Sequence, residues 1–332
     1  MSKLAVIGAG SWGTTFAKVL ADGGAEVSLW ARRSELAEEI NTSHRNGDYL
    51  PGVNLPLAIT ASAEISEVLE GASQVYLSVP SQMLRANLNE WAKLIPENAL
   101  VVSLMKGVEK DTGLRMSQVI AEVGIDASRI VIVSGPNLAL EIAAEEPAAA
   151  VAASSFLEAA KQVASASSNS YLTTFTNTDV IGTEFGGILK NLIAVAIGIV
   201  NGVGYGQNTK ASIMTRGLSE ISRFAVAYGA KPTTMIGLAG LGDLIATSES
   251  PLSRNHKAGE MLGKGYSKKE VLARLSQTAE GLGSVSTVLE LARAKGISMP
   301  IVEQVELVIE GKMSPRDIAP HLTHETEEPQ GE

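Results

Sequence analysis

Short apolar runs alternate with amphipathic segments in the first half of the chain. The apolar runs are rich in β-branched residues and end at turns; the clearest are Lys3–Gly8, Glu26–Trp30, Gln74–Val79, Ala99–Leu104 and Arg129–Ser134. Between them, helical spacing is seen in Thr14–Ala21, Glu35–Ile40 and Gln82–Leu94. This alternation predicts a parallel sheet covered by helices on both faces. The sheet is expected to extend into Ala148–Ala153 and Tyr171–Phe175.

The pattern changes after Phe175, where a polar turn at 176–179 offers a helix N-cap. Within 208–228, apolar residues then step by four, three, four and three, which is helical spacing: Met214, Leu218, Ile221, Ala225 and Tyr228. Segments 280–295 and 300–309 behave in the same way. We therefore predict the α/β class, with a mostly parallel sheet domain over 1–178 and an all-α domain over 179–322. Residues 323–332 read as a disordered acidic tail.

One predicted helix, residues 182–203, is apolar almost throughout but carries Lys190 and Asn191 in its middle. A buried ammonium group needs a partner or an altered charge state. Asp243 is a suitable partner because it ends a glycine-rich turn that begins at Gly237, with Thr247 one helical turn later. The longest purely apolar run, 192–200, is too short to cross a bilayer, so the protein is not expected to be membrane-embedded.

Charge and cysteine content narrow the function classes. The 332 residues carry a net charge of −9, which argues against a general binder of nucleic acid or of membrane surfaces. Any anionic ligand therefore needs a local cluster of cations. The absence of cysteine excludes disulfides and thiol catalysis. It also fits a reducing compartment, and no secretory signal pattern is visible, so we expect a cytoplasmic protein.

A glycine-rich loop follows the first predicted strand. Residues 8–13 read GAGSWG, a G-x-G-x-x-G between a strand and a helix. Gly8 permits a tight turn, Gly10 lets a pyrophosphate approach the backbone, and Gly13 lets helix and strand pack closely. The helix N-terminus then offers N–H groups to the phosphates. The loop predicts a Rossmann-like, dinucleotide-binding N-terminal domain; the alternative is an ordinary glycine-rich turn.

The second predicted strand ends in Arg32 and Arg33, where NAD-selective versions usually carry a carboxylate. Guanidinium groups suit a 2′-phosphate, so we predict that NADP(H) is preferred and that NAD(H) is also possible. A solvated basic turn is the alternative. Further polar residues follow buried strands or interrupt the helical half, namely Lys106, Gly135-Pro136-Asn137 and Ser253-Arg254-Asn255. Each alone is compatible with a surface lysine, a helix cap or a structural ion pair.

Together these motifs resemble the bacterial NAD(P)-dependent sn-glycerol-3-phosphate dehydrogenases, from Leu4 to about Asp317. The resemblance rests on the glycine loop through Thr14 and on several later motifs: Ser134-Gly-Pro136, Lys190-Asn191, Thr215-Arg-Gly-Leu218, Gly237–Asp243, Ser253-Arg-Asn255 and Ala279-Glu-Gly281. It implies hydride transfer between glycerol 3-phosphate and dihydroxyacetone phosphate, supplying the backbone of phospholipids.

The resemblance also implies roles for individual residues. Lys190 matches the catalytic lysine. Substrate positions are matched by Lys106, Gly135, Asn137, Lys190, Asp243, Ser253, Arg254 and Asn255. Cofactor positions are matched by Gly8, Gly10, Ser11, Trp12, Gly13, Arg32, Arg33, Lys106, Ala139, Arg254, Thr278 and Glu280. One departure is Asn137, where the family usually has Ser or Thr.

Other readings of the sequence stay open. A related two-domain reductase, acting on hydroxy acids or ketopantoate, would share a lysine on a long helix. A non-catalytic NAD(P)H-binding regulator would need an interaction element that the sequence does not display. His321 and His324 have a ligand-like spacing but lack a third partner, so no metal is predicted. The oligomeric state is open, and a homodimer is compatible with the sequence.

Overall fold

The computed structural model describes residues 3–275 and 279–318. Its sheet has eight strands: β1 Lys3–Ile7, β2 Glu26–Trp30, β3 Ile59–Ser62, β4 Gln74–Leu77, β5 Leu100–Ser103, β6 Ile130–Ser134, β7 Ala148–Ala153 and β8 Leu172–Asn177. The strand order is β3-β2-β1-β4-β5-β6-β7-β8, and all neighbours are parallel except β6 and β7. From β1 the chain first adds β2 and β3 on one side and then β4 and the later strands on the other side. Ligands of such sheets bind at this switch point between β1 and β4, at the carboxyl ends of the strands.

The first seven helices cover the sheet: α1 Ser11–Asp22, α2 Ser34–Ser43, α3 Ile65–Leu69, α4 Leu84–Trp91, α5 Met116–Glu122, α6 Ala139–Ala143 and α7 Leu157–Ala166. Apolar cores lie on its two faces, one centred on Phe16 and Tyr76 and the other on Val75 and Leu88. The central strands are buried along their length because helices cover both faces, and this explains their unbroken apolar runs.

The rest of the described chain is helical: α8 Val180–Val203, α9 Gln207–Ala227, α10 Pro232–Met235, α11 Asp243–Glu249, α12 Arg254–Gly263, α13 Lys268–Arg274, α14 Glu280–Ala294 and α15 Pro300–Ile309. Helix α8 begins as the polar turn predicts, since the Asp179 side chain accepts a hydrogen bond from Gly182 N at 2.8 Å. The domain boundary near residue 178 stays a prediction.

Helix α8 is the centre of the helical core. By length and composition it could cross a membrane, but 83% of its apolar window is buried inside the protein. Other helices pack around it, and they take up the apolar surface that would otherwise face solvent. Its apolar character is therefore explained by its place as a core helix.

Helices α8 and α12 contact each other backbone to backbone. Both carry glycines at a spacing of four, Gly198 and Gly202 on α8 and Gly259 and Gly263 on α12. A Cβ atom on Gly198 would lie 2.2 Å from the His256 carbonyl oxygen, and real Cβ atoms do not come so close. The contact fixes the start of α12 against the helix that carries the central lysine.

Some elements differ from the sequence predictions. The sequence pattern does not predict strand β3, because its four residues, ITAS, alternate only weakly between apolar and polar and form an edge strand. The strands at 148–153 and 172–177 confirm that the sheet extends beyond β6. Thr278, His321, His324 and the tail at 323–332 lie outside the described residues.

We predict that Gly198→Ala lowers the free energy of unfolding by about 1–3 kcal/mol, because the added methyl group has no room between α8 and α12. Thermal and urea unfolding would measure the loss. The matched control is Gly283→Ala in α14, where a Cβ atom meets nothing within 4 Å and helix propensity favours alanine. Equal stability of the Gly198→Ala and wild-type proteins would contradict the backbone contact.

Candidate active site

The glycine loop has the geometry that a pyrophosphate requires. Gly8 has φ +119°, in the left-handed region, and a Cβ atom there would lie 2.4 Å from the Ser78 carbonyl oxygen. A Cβ atom on Gly13 would lie 1.9 Å from the Gly8 carbonyl oxygen, whereas one on Gly10 meets nothing within 4 Å of the described chain. The loop is thus tight at Gly8 and Gly13 and open at Gly10. The residues present fit a dinucleotide on the N-terminus of α1.

The other predicted cofactor residues surround this loop. The Ser11 hydroxyl donates to the Tyr49 carbonyl oxygen at 2.6 Å, and Trp12 packs edge-on to Phe16. Ala139 opens α6 beside α1, with its carbonyl oxygen accepting a hydrogen bond from Thr15 at 3.2 Å. Arg32 and Arg33 are exposed just beyond the end of β2.

Lys190 and Asp243 form the ion pair that the sequence suggests. The Lys190 Nζ atom lies 2.8 Å from Asp243 Oδ1 and also donates to the Thr247 hydroxyl. Lys190 is 6% exposed and Asp243 1%. The other carboxylate oxygen, Oδ2, accepts a hydrogen bond from Lys106 Nζ at 2.6 Å. One buried carboxylate therefore joins a lysine from the sheet domain to a lysine from the helical core.

Local backbone structure explains how Asp243 reaches Lys190. Residues 238–242 form a π-helical turn, a rare form that is frequent at functional sites, and Asp243 follows it as the first residue of α11. A Cβ atom on Gly186 of α8 would lie 2.4 Å from the Ala239 carbonyl oxygen of this turn. Because Gly186 has no side chain, the turn lies directly on α8, one helical turn before Lys190.

Burial lowers the pKa of Lys190 to about 8, although Asp243 raises it and the nearby Lys106 ammonium lowers it further. At neutral pH the group is mostly protonated and loses its proton within about one pH unit of neutrality. Such a group can donate and accept a proton under ordinary conditions. Burial raises the pKa of the Glu280 carboxyl, although the positive charges nearby lower it in part; these belong to Arg254, Lys106 and Lys190.

Asn255 ties three helices together beside Lys190. Its Nδ2 donates to Asn191 Oδ1 on α8 at 2.8 Å, and its Oδ1 accepts from Gly281 N on α14 at 3.0 Å. Ser253 caps α12 by accepting a hydrogen bond from His256 N at 3.2 Å. Ser253, Arg254 and Asn255 thus start α12 next to the lysine, with Arg254 exposed.

The loop after β6 completes the crevice. The Gly135 carbonyl oxygen accepts a hydrogen bond from Lys106 Nζ at 2.9 Å. Asn137 does not cap the following helix, because α6 has Leu138 as its N-cap residue. Its Nδ2 instead donates to the Ala149 carbonyl oxygen at 3.2 Å, and its Oδ1 is buried without a partner in the described chain. The buried Ser134 hydroxyl, next to Gly187, also lacks a partner among the described residues.

Some site residues carried no usable sequence signal. Asn46 is fully buried and bonds the glycine loop, but it lies in an irregular segment with no motif. The same segment places Asp48 in an ion pair with Arg33. Thr247 did carry a signal, because it follows Asp243 by four residues and so faces the same way on α11. Thr278, a predicted cofactor residue, lies outside the described residues.

Comparisons with known proteins cover both halves of the chain. Models of the NAD-dependent glycerol-3-phosphate dehydrogenase N-terminus and C-terminus match residues 3–160 and 179–320. Glycerol-3-phosphate dehydrogenase (NAD(P)+) of Leifsonia xyli subsp. xyli is 61% identical over 98% of this chain and 89% of its own length.

Solved structures give the same result. A crystal structure of glycerol-3-phosphate dehydrogenase from Coxiella burnetii matches with a TM-score of 0.91 and 33% identity, over 98% of this chain and 99% of that one. A ketopantoate reductase family protein from Ralstonia eutropha JMP134 covers 98% of this chain and 100% of its own, at a TM-score of 0.61 and 16% identity. It shares the fold alone. Since both halves match the family models and a relative at 61% identity spans nearly the whole chain, this protein belongs to the NAD(P)-dependent glycerol-3-phosphate dehydrogenase family.

Proposed function

We propose that this protein interconverts sn-glycerol 3-phosphate and dihydroxyacetone phosphate, with Lys190 as the acid–base group. The observation that carries the proposal is the Lys190 ammonium group, held 2.8 Å from Asp243 Oδ1 beside the carboxyl ends of β5 and β6. Family membership and the names of the relatives support the substrate pair. We further propose a cytoplasmic location; a homodimer stays a prediction.

A dinucleotide held by the glycine loop and the N-terminus of α1 would supply or accept the hydride at the substrate carbon. During reduction, negative charge develops on the ketone oxygen, and the protonated Lys190 donates first a hydrogen bond and then its proton. During oxidation, neutral Lys190 accepts the hydroxyl proton. Asp243 holds the lysine in place and favours its charged form. Thr247 fixes the same ammonium group from the next turn of α11.

The substrate phosphate is assigned to the start of α12. Arg254 can form a forked, charge-assisted contact with a phosphate, and Ser253 and Asn255 lie on either side of it. The partnerless Oδ1 of Asn137 supports a substrate hydroxyl contact across the crevice, since a buried acceptor without a donor is costly. Lys106, bonded to both Asp243 and Gly135, adds a second positive charge.

The glycine loop binds the cofactor, and the family accepts NAD(P). We propose that NADP(H) is preferred because Arg32 and Arg33 lie just beyond the end of β2, where they can pair with a 2′-phosphate. No carboxylate lies within residues 30–34 to bond a ribose hydroxyl.

Lys190→Met should lower the turnover number for dihydroxyacetone phosphate reduction by at least about 100-fold, because the proton donor is lost. NADPH binding, measured by titration, should change little. The matched control is Lys264→Met, which removes an exposed lysine just beyond the end of α12. Near-normal turnover in Lys190→Met would exclude the lysine as the acid–base group.

Reduction should slow above pH 8, because Lys190 with a pKa of about 8 then loses the proton that it must donate. Oxidation should instead gain rate as pH rises toward 8. In Asp243→Asn the raising effect of the carboxylate is absent, so the fall in reduction should move to lower pH by about one unit or more. The measurement is kcat/KM against pH in both directions, because this quantity reports the pKa values of the free enzyme. A pH profile of Asp243→Asn that matches the wild-type profile would contradict the proposed effect of Asp243 on the pKa of Lys190.

Arg32→Ala and Arg33→Ala should each weaken NADPH binding about tenfold and leave NADH binding nearly unchanged, because only NADPH carries the 2′-phosphate. Dissociation constants for both cofactors, measured side by side, test this. A constant NADPH-to-NADH ratio in both variants would refute the proposed preference.

A further inference from the structure

An acidic side chain lies against one of the two arginines at the end of β2. The guanidinium group of Arg33 forms an ion pair with the carboxylate of Asp48. Asp48 is 15 residues further along the chain, beyond α2. The group expected to receive a phosphate thus already has an anionic partner within the protein.

Asp48 is held in this place by anchors on both sides. Asn46, which is fully buried, donates from Nδ2 to the Ala9 carbonyl oxygen at 2.9 Å and to the Thr14 hydroxyl at 2.8 Å. On the other side, the Tyr49 carbonyl oxygen accepts a hydrogen bond from the Ser11 hydroxyl at 2.6 Å. All three contacts are to the glycine loop or the start of α1. The position of Asp48 is therefore fixed relative to the loop that binds the pyrophosphate.

A carboxylate and a 2′-phosphate compete for the same guanidinium group. Both anions accept hydrogen bonds from the planar fork of arginine. A 2′-phosphate on Arg33 must therefore displace Asp48 or lie beside its negative charge, and like charges at close range repel. NAD(H) has no phosphate there and meets neither obstacle. The side chains of Arg33 and Asp48 are 50% and 57% exposed, so the ion pair is weak and can be displaced.

We propose that Asp48 is a specificity-determining residue for the cofactor. By competing for Arg33, Asp48 lowers the affinity for NADP(H) but leaves the affinity for NAD(H) unchanged. The preference for NADP(H) over NAD(H) is therefore smaller than the two arginines alone would give. The inference rests on the proposed function, in which Arg32 and Arg33 bind the 2′-phosphate. The inference adds Asp48 as a group that opposes 2′-phosphate binding, and residues 46–49, which contact the glycine loop, hold it in place.

The test is Asp48→Asn, a conservative change at an exposed site. Dissociation constants for NADPH and NADH are measured by calorimetric titration of the whole protein, without substrate. NADPH is expected to bind about three- to tenfold more tightly, and NADH to change by less than about twofold. The fragments adenosine 2′,5′-bisphosphate and 5′-AMP should show the same contrast, since they differ only in the 2′-phosphate.

Two controls separate competition for Arg33 from a general change of charge. Glu38→Gln removes one negative charge from the exposed face of α2 and should leave the NADPH-to-NADH ratio unchanged. In an Arg33→Ala background, Asp48→Asn should no longer strengthen NADPH binding, because the shared guanidinium group is absent. A gain of the same size in that background would overturn the competition.

The inference fails if Asp48→Asn leaves the NADPH-to-NADH ratio of dissociation constants unchanged, as it would if NADH binding became tighter by the same factor as NADPH binding. If Arg33→Ala weakens NADPH while Asp48→Asn has no effect, only the role of Asp48 is refuted. If neither Arg32→Ala nor Arg33→Ala changes the NADPH-to-NADH ratio of dissociation constants, both the proposed NADP(H) preference and the role of Asp48 are refuted.

Discussion

The carboxylate of Asp243 lies between two ammonium groups, and the two halves of the protein meet at this contact. Lys106 comes from the loop after β5, Lys190 from the middle of α8, and each bonds a different carboxylate oxygen. Both lysines would be costly to bury without that carboxylate. Removing Asp243 would leave two uncompensated charges in the crevice. Its position therefore constrains the elements around it.

Close backbone packing is what meets that constraint. Asp243 can reach α8 only because the π-helical turn before it lies directly on Gly186, with no side chain between. Gly187 leaves similar room for Ser134 and the stem of Lys106 on the sheet side. The Gly198 contact with α12 brings Asn255 to Asn191. Glycines along one helix thus let three different elements come close to Lys190.

The parts that the sequence predicts are those with a strong local cause. Lys190 is conspicuous because a charge in an apolar helix needs a partner, and Asp243 is the acidic residue of a glycine-rich turn. The glycine loop is recognisable because a strand and a helix flank it. By contrast, β3 is short and lies at the sheet edge, and Asn137 bonds a strand twelve residues away. Asn46 and Asp48 act through contacts between distant residues, which no local pattern reveals.

The net charge of the crevice explains why this expensive arrangement is useful. An apolar replacement for a buried ion pair often packs at least as well, so stability alone does not account for two lysines on one carboxylate. Lys106 and Lys190 bring two positive charges to the one negative charge of Asp243, and burial raises the pKa of the nearby Glu280 carboxyl, which disfavours a second negative charge there. In the proposed reaction, the ketone oxygen gains negative charge beside Lys190, and the positive charges stabilise it effectively because Lys190 and Asp243 are buried. Burial lowers the pKa of Lys190 to about 8 against the raising effect of Asp243, and the Lys106 charge lowers it further. In the proposed reaction this second cation therefore both stabilises the developing negative charge and favours proton transfer from Lys190 near neutral pH.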